Sequence, residues 1–348
     1  MRESRSYIAI PPGVTIKEQL DDRGITQKEF AIRMGISEKH TSKLINGDVQ
    51  LTIDMAMRLE SVLGIPTQFW CNLESIYREK LALVSEENSL DEDIELLPKF
   101  PYNELAKLGW VSSTKNKYER VKNLRKYFEI ASFKNLNDCL FPRVVYRKLS
   151  IKDDNDYKLL AWVQKAKAEA RNIFTNKINI SRLKQNLSTI RSLSLLSADE
   201  FPSKLVSILA DCGIALVLLP HISGTFLHGA TFIDNDKIVI ALTLRGKDAD
   251  KFWFSLFHEL GHIVYNHLSF EYENSFEEIA DSFARNTLIP TDDYNNLINS
   301  YNFTTESISI FAEQIGIPAG IIVGRLQNDH IIPYTALNHL KIKYQLSD

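Results

Sequence analysis

The chain has 348 residues, 44% of them hydrophobic and 24% charged, with a formal net charge of −3. This is the composition of an ordinary soluble globular protein, long enough for two or three domains. No apolar run approaches the roughly 20 residues of a membrane span, and the charged start MRESRSYIAI leads into no signal-peptide core, so the expectation is a cytoplasmic protein with no membrane partner.

The three cysteines, Cys71, Cys139 and Cys212, form no CxxC pair, which argues against a disulfide framework and a cysteine zinc site. Charge is distributed unevenly. Residues 1–84 carry 11 bases and 11 acids, and residues 85–97 (SEENSLDEDIELL) carry 6 acids and no base. Residues 98–191 carry 21 bases against 8 acids, and residues 192–348 carry 9 against 19. Blocks of opposite sign suggest separate units with separate surfaces. The expected division is a head (1–84), an acidic linker (85–97), a basic helical connector (98–184) and a tail (185–348).

The head predicts five short helices. The first runs from about Thr15 to Asp22 and stops before Gly24. Thr26 and Glu29 form a capping box, so the second starts at Gln27, with Phe30, Ala31 and Met34 as its apolar face. Gly35 supplies a turn. Ser37 caps the third helix, which ends at Asn46-Gly47. Thr52 caps the fourth, closed by Gly64 and Pro66, and TQFWCNLESIYREKLA forms the fifth. Two short helices joined by a glycine turn make a helix-turn-helix, whose second helix enters the DNA major groove. That helix, capped by Ser37, exposes Lys39, His40, Ser42 and Lys43 to base edges, and Gln27 is placed for a backbone phosphate. A small helical bundle that binds protein is the competing reading of this pattern.

The stretch from PPGVTIKEQL to SIYREKLA resembles the lambda-repressor-like (XRE) family, in its HigA-type antitoxin branch. The resemblance implies a homodimer on operator DNA and a role in neutralising or regulating a cognate toxin. A simple antitoxin would end soon after; this chain continues to residue 348.

In the connector, Leu124, Tyr127 and Phe128, then Leu159, Trp162, Val163 and Ala166, recur at helical spacing. They read as core. No ligand or nucleophile constellation accompanies them, and the basic surface reads equally as solvated helix faces or as a face for nucleic acid or an acidic partner.

The tail carries FWFSLFHELGHIVYNH, residues 252–267, with a plausible helix cap at Asp248. Buried polar groups cost roughly 1–3 kcal/mol each unless satisfied, so His258, Glu259 and His262 inside so apolar a helix need a partner. His258 and His262 are four apart and leave one helix face, the spacing a tetrahedral zinc ion takes from two ligands. Glu259 is placed to take a proton from a water that the ion acidifies. The extended motif HExxHxxGxxH is absent, because Tyr265 stands at its glycine and Leu268 at its last histidine. The third ligand is then expected from a following helix, NSFEEIADSFARNTLIP. Ser275 and Glu278 form a capping box there, leaving Glu277 as the ligand and Asp281, one turn on, to orient a ligand histidine. A His-His-Glu site accepts Zn2+ or Mn2+.

Upstream, GIALVLLP and GATFIDNDKIVIAL predict strands, the latter pair joined at Asp234-Asn235-Asp236. A small sheet beside the metal helix could hold an extended peptide by strand addition. His221 and His228 could stabilise an oxyanion, or be surface or core histidines.

From roughly residue 185 onward the tail resembles the ImmA/IrrE metallo-endopeptidases, including the closing pair SISIFAEQIGIPAGIIVGRLQ. The resemblance implies a compact zincin fold that cleaves regulatory proteins, with His258, His262 and Glu277 as ligands and Glu259 as general base. The expected fold is therefore mainly α with a small α+β domain: an all-α helix-turn-helix head, a helical middle and a zincin-like tail with a small sheet. The expected partners are operator DNA and a protein substrate or cognate toxin. A rival reading keeps the repressor or antitoxin but makes the zincin fold a sensor or toxin-binding module without turnover.

Overall fold

The computed structural model describes residues 2–136, 154–223, 229–243, 248–269 and 275–344. Cys139 and His228 lie outside these residues. The chain divides into two units, one formed by Met1–Pro98, Thr114–Asn123 and Ser132–Lys134, the other by Lys99–Ser113, Leu124–Ala131 and Asn135–Asp348.

The first unit opens with a two-residue antiparallel pair, β1 (Arg2–Glu3) and β2 (Ile8–Ala9). Five helices follow: α1 (Gly13–Asp22), α2 (Gln27–Met34), α3 (Glu38–Asn46), α4 (Ile53–Leu63) and α5 (Thr67–Leu96). Side chains of Thr26, Ser37 and Thr52 accept backbone N–H bonds at the starts of α2, α3 and α4. Glycines in the left-handed conformation, Gly35, Gly47 and Gly64, end the same three helices. The Thr26 box is half formed, because the Glu29 carboxylate pairs with Arg33 at 2.6 Å. Ile16, Leu20, Phe30, Met34, Leu44, Leu59 and Trp70 form the core. A Cβ on Gly13 would stand 1.9 Å from the Ile45 carbonyl oxygen, so only glycine lets α1 cross α3 this closely.

Of the acidic stretch 85–97, expected as a linker, all but Leu97 forms the last turns of the 30-residue helix α5, and Leu97 opens a 3-10 turn. The sequence charge concealed a buried face: Val84, Glu87, Leu90 and Asp93 recur at helical spacing and are all buried. The buried acids have partners. Glu87 accepts bonds from the Ser4 and Ser6 hydroxyls (2.6 and 2.8 Å) and the Ser6 amide (2.8 Å). Asp93 accepts from the Phe133 amide at 3.0 Å and the Ser132 hydroxyl at 3.1 Å. The basic connector 98–184 is likewise not a unit of its own, since its described residues divide between the two units. It contains α6 (Tyr102–Lys107), α7 (Lys117–Phe128), α8 (Asp154–Ala170) and the start of α9 (Ile180–Ser192).

In the second unit, α10 (Phe201–Asp211) leads into β3 (Ile214–Leu219), and β4 (Gly229–Asp234) and β5 (Lys237–Thr243) form a tight hairpin. Strand order is β3-β5-β4, with β3 parallel and β4 antiparallel to β5, so β4 is an edge. Asn235 turns the hairpin at φ 55°, the left-handed region asparagine tolerates. Helices α11 (Ala249–Val264), α12 (Ser275–Leu288), α13 (Thr291–Asn299), α14 (Thr305–Ile315) and α15 (Ala319–Asn328) complete the unit. Trp253, Leu256, Phe257 and Leu260 of α11 are fully buried among Leu216, Ile240 and Leu242 of the sheet and Leu288 and Leu326 of the helices. Among the described residues, no single helix is long and apolar enough to cross a membrane.

Candidate metal centre and nucleic-acid interface

Gly261 sits inside the HELGH stretch where α11 meets α12. A Cβ there would lie 3.1 Å from Ala280 Cα and 3.1 Å from the Phe283 ring, so its absence brings the two backbones together. Ala280 and Ala284, both buried, keep the α12 side of the contact equally thin. Close approach is what allows Glu277, in the first turn of α12, to reach both histidines of α11. Glu277 Oε2 is 3.4 Å from His258 Nε2, Glu277 Oε1 is 3.7 Å from His262 Nε2, and the two Nε2 atoms are 3.1 Å apart. Donors held about 2.1 Å from a tetrahedral ion are about 3.4 Å from one another. The observed separations lie around that value, with one Glu277 oxygen turned to each histidine, and one donor atom from each of the three residues lies within 4.8 Å of the others, so the residues fit a zinc ion.

Each histidine is oriented from behind. His258 Nδ1 meets Asp281 Oδ1 at 2.8 Å, which places its proton on Nδ1 and turns Nε2 toward the centre. His262 Nδ1 meets His267 Nδ1 at 3.0 Å. In the tautomer of His262 that turns a bare Nε2 to the centre, its Nδ1–H donates there and the His267 nitrogen accepts. His267 is 6% exposed and stacks on Phe276, ring centroids 4.2 Å apart and 7° from parallel. The sequence reading passed over His267. A third histidine five residues after the second was visible, but its contact depends on the chain reversing after Val264.

Electrostatics favour a cation at this point. Burial draws the His258 pKa down, yet bonds to Asp281 and Glu277 and the charge of Glu259 outweigh it, leaving it pushed up to about 9. The Asp281 carboxyl is held below its ordinary range by its bond to His258. Burial lowers His267, which suits its part as a neutral acceptor.

Glu259 is buried, 7% exposed, and its Oε2 accepts the Thr231 hydroxyl at 2.6 Å. A Cβ at Gly229, the first residue of edge strand β4, would come within 2.6 Å of Glu259 Oε1. Neither Thr231 nor Gly229 was singled out by sequence reasoning, because strand register alone aims them at α11. The centre opens into a cavity of about 860 Å³, whose walls include Gly229, His258, Glu259, Glu277 and Asp281. His221 follows β3, at the other edge of the sheet order, and does not line this cavity. Ser275, expected as the cap of α12, is its first helical residue, and Glu278 is exposed.

In the first unit, Gln27, Ser37, Lys39, Ser42 and Lys43 are exposed and His40 is half-buried. Ser37 Oγ accepts the His40 amide at 3.2 Å, so its side chain is committed to the cap of α3. Arg33 and Arg58 pair with Glu29 and Asp54, whereas Lys39 and Lys43 make no ion pair among the described residues. Two cations on the solvent face of α3 are thus free for an external anion.

Comparison with known proteins agrees with both units. Residues 16–70 match the helix-turn-helix family, and residues 228–327 match the IrrE N-terminal-like domain of the M78 peptidases. The HTH-type transcriptional regulator YddM of Escherichia coli (strain K12) is 35% identical over 80 residues, 23% of this chain and 81% of that protein. The chain belongs to the XRE-type helix-turn-helix regulators and carries an IrrE-like peptidase domain. Antitoxin HigA-1 of Vibrio cholerae serotype O1 is 42% identical over 57 residues, 16% of this chain and about half (53%) of that antitoxin. The regulator similarity lies in the head, and the peptidase-family match takes in α11 and α12 with the whole candidate centre.

Proposed function

We propose that this regulator binds operator DNA as a homodimer through α3 and that its second unit is a zinc-dependent endopeptidase acting on a regulatory protein. The observation that carries the reading is the convergence of His258, His262 and Glu277 on one point with the buried carboxylate of Glu259 beside it. A zinc ion held by those three residues supplies Lewis acidity, polarising the scissile carbonyl and acidifying a water; manganese would serve the same ligands.

The chain's own groups do the rest. Asp281 and His267 hold the two imidazoles with Nε2 inward. Thr231 holds one oxygen of Glu259, and the bare backbone of Gly229 leaves room beside the other, so this carboxylate would take a proton from the attacking water and return it to the leaving amine. Among the described residues β4 has a strand neighbour on one side only, so its other side could take an extended peptide. A peptide is favoured as substrate because an edge strand and a general base share one cavity wall.

Head and tail together suit a repressor whose partner or target is a second protein; the HigA-1 similarity supports a toxin as one such partner. The test compares protein N-termini in cells expressing wild type or Glu259→Gln, with and without DNA damage. New N-termini found only with wild type identify the substrate. Identical profiles in all conditions sink the peptidase reading and leave the DNA-binding regulator.

A further inference from the structure

We propose that the cavity beside the metal centre contains a carboxylate-binding subsite built on Arg285 and Lys343, so that the preferred substrate presents a carboxylate a few residues from the scissile bond. This rests on the peptidase reading and adds the substrate class.

Among the described residues, the cations lining the cavity are Lys251, Arg285, Arg325, Lys341 and Lys343. Three are committed. Lys251 pairs with Asp248 at 2.7 Å, and Lys341 with the buried Asp250 at 2.8 Å. Arg325 donates to the carbonyls of Arg285 and Ile289 at 3.0 and 2.9 Å, closing the end of α12, and lies 3.6 Å from the centroid of the Tyr294 ring. The side chains of Arg285 and Lys343 make no hydrogen bond or ion pair among the described residues. Asp281, one turn before Arg285, is bonded to His258; the Arg285 charge also helps hold its carboxyl down, but the two side chains form no ion pair.

Position sets the register. Arg285 follows Glu277 by eight residues, so both leave the same face of α12, about 12 Å apart along the axis. An extended peptide covers that distance in about three to four residues. Arg285 is half-buried, and a guanidinium partly removed from water and left unpaired gains most from a bidentate carboxylate. Lys343, more exposed, adds a second positive charge on the same cavity. The carboxylate can belong to an Asp or Glu side chain or to a free C-terminus.

The test uses full-length, zinc-loaded Glu259→Gln protein and fluorescein-labelled ten-residue peptides. Each peptide carries Asp, Asn or Lys at one position walked along the chain, with a free or amidated C-terminus. Anisotropy is expected to find one register in which Asp binds about tenfold tighter than Asn. Adding Arg285→Gln should remove that preference, and Lys343→Gln should reduce it. Arg285→Glu should move it to Lys, a reversal that misfolding cannot produce. If amidation alone costs the affinity, the carboxylate is terminal. Equal binding of Asp, Asn and amidated peptides at every register overturns the subsite. The best binder is then offered to wild type: if it is not cut although the preference holds, the peptidase reading fails and the subsite stands.

Discussion

His262 and His267 face each other through their Nδ1 atoms at 3.0 Å, on a buried imidazole stacked over Phe276. The contact selects the tautomer of His262 whose Nε2 points at Glu277 and His258. His267→Phe keeps the ring and its stacking but removes the acceptor. The expected result is a loss of zinc affinity of about 10–100-fold, measured by chelator competition. An affinity within twofold of wild type would mean that His262 is oriented by its helix alone.

Gly229 and Glu259 are a second such pair. A methyl at Gly229 would meet Glu259 Oε1 at 2.6 Å and Leu242 Cδ2 at 2.8 Å. Glu259 is tied to Thr231 and can yield only by moving Oε1. Gly229→Ala is expected to lower kcat roughly 10–100-fold, because an ångström of misplacement is enough to do so. Zinc affinity should be unchanged, since no ligand is touched. Equal losses in both would show that the change deforms the whole centre.

In the first unit, Glu87 is held down to about 2 by bonds from Ser4, then from the Ser6 hydroxyl and amide. A free glutamate titrates near 4.3. A folded-state pKa below the unfolded one contributes stability that is complete above the unfolded value and lost as pH falls toward the folded one. Glu87→Gln should therefore lower the urea midpoint at pH 7, and the gap to wild type should narrow between pH 5 and pH 3. An equal gap at pH 7 and pH 3 would remove the carboxylate from the account.

Lys43 is an unpaired cation on the exposed face of α3 in a unit whose head is charge-balanced, so local charge has to supply DNA affinity. Lys43→Ala should weaken binding to a DNA fragment selected by the wild-type protein by about tenfold. If Lys43 contacts a phosphate, the slope of log K against log salt should also fall by about 1, equally on scrambled DNA. If it reads a base edge, the loss should be confined to the selected fragment. No change on either fragment would take Lys43 out of the interface.

Local chemistry alone made much of this protein legible. Thr26, Ser37 and Thr52 with Gly35, Gly47 and Gly64 mark helix starts and stops through bonds spanning three or four residues, so the helix-turn-helix could be read from the chain. The four-residue spacing of His258 and His262 follows from helix geometry, and Glu277 and Asp281 share a face for the same reason. Tertiary structure decided what depends on distant segments meeting. The acidic stretch after Val84 looked like a solvated linker because its partners, Ser4, Ser6, Ser132 and Phe133, are remote in sequence. Thr231 and Gly229 reach Glu259 only because β4 lies at the sheet edge in one particular register, and His267 reaches His262 only after the chain turns at the end of α11. A contact made through the fold leaves no periodicity in the sequence, so the candidate ligands and Asp281, which share helix faces, could be read in advance while Thr231, Gly229 and His267 could not.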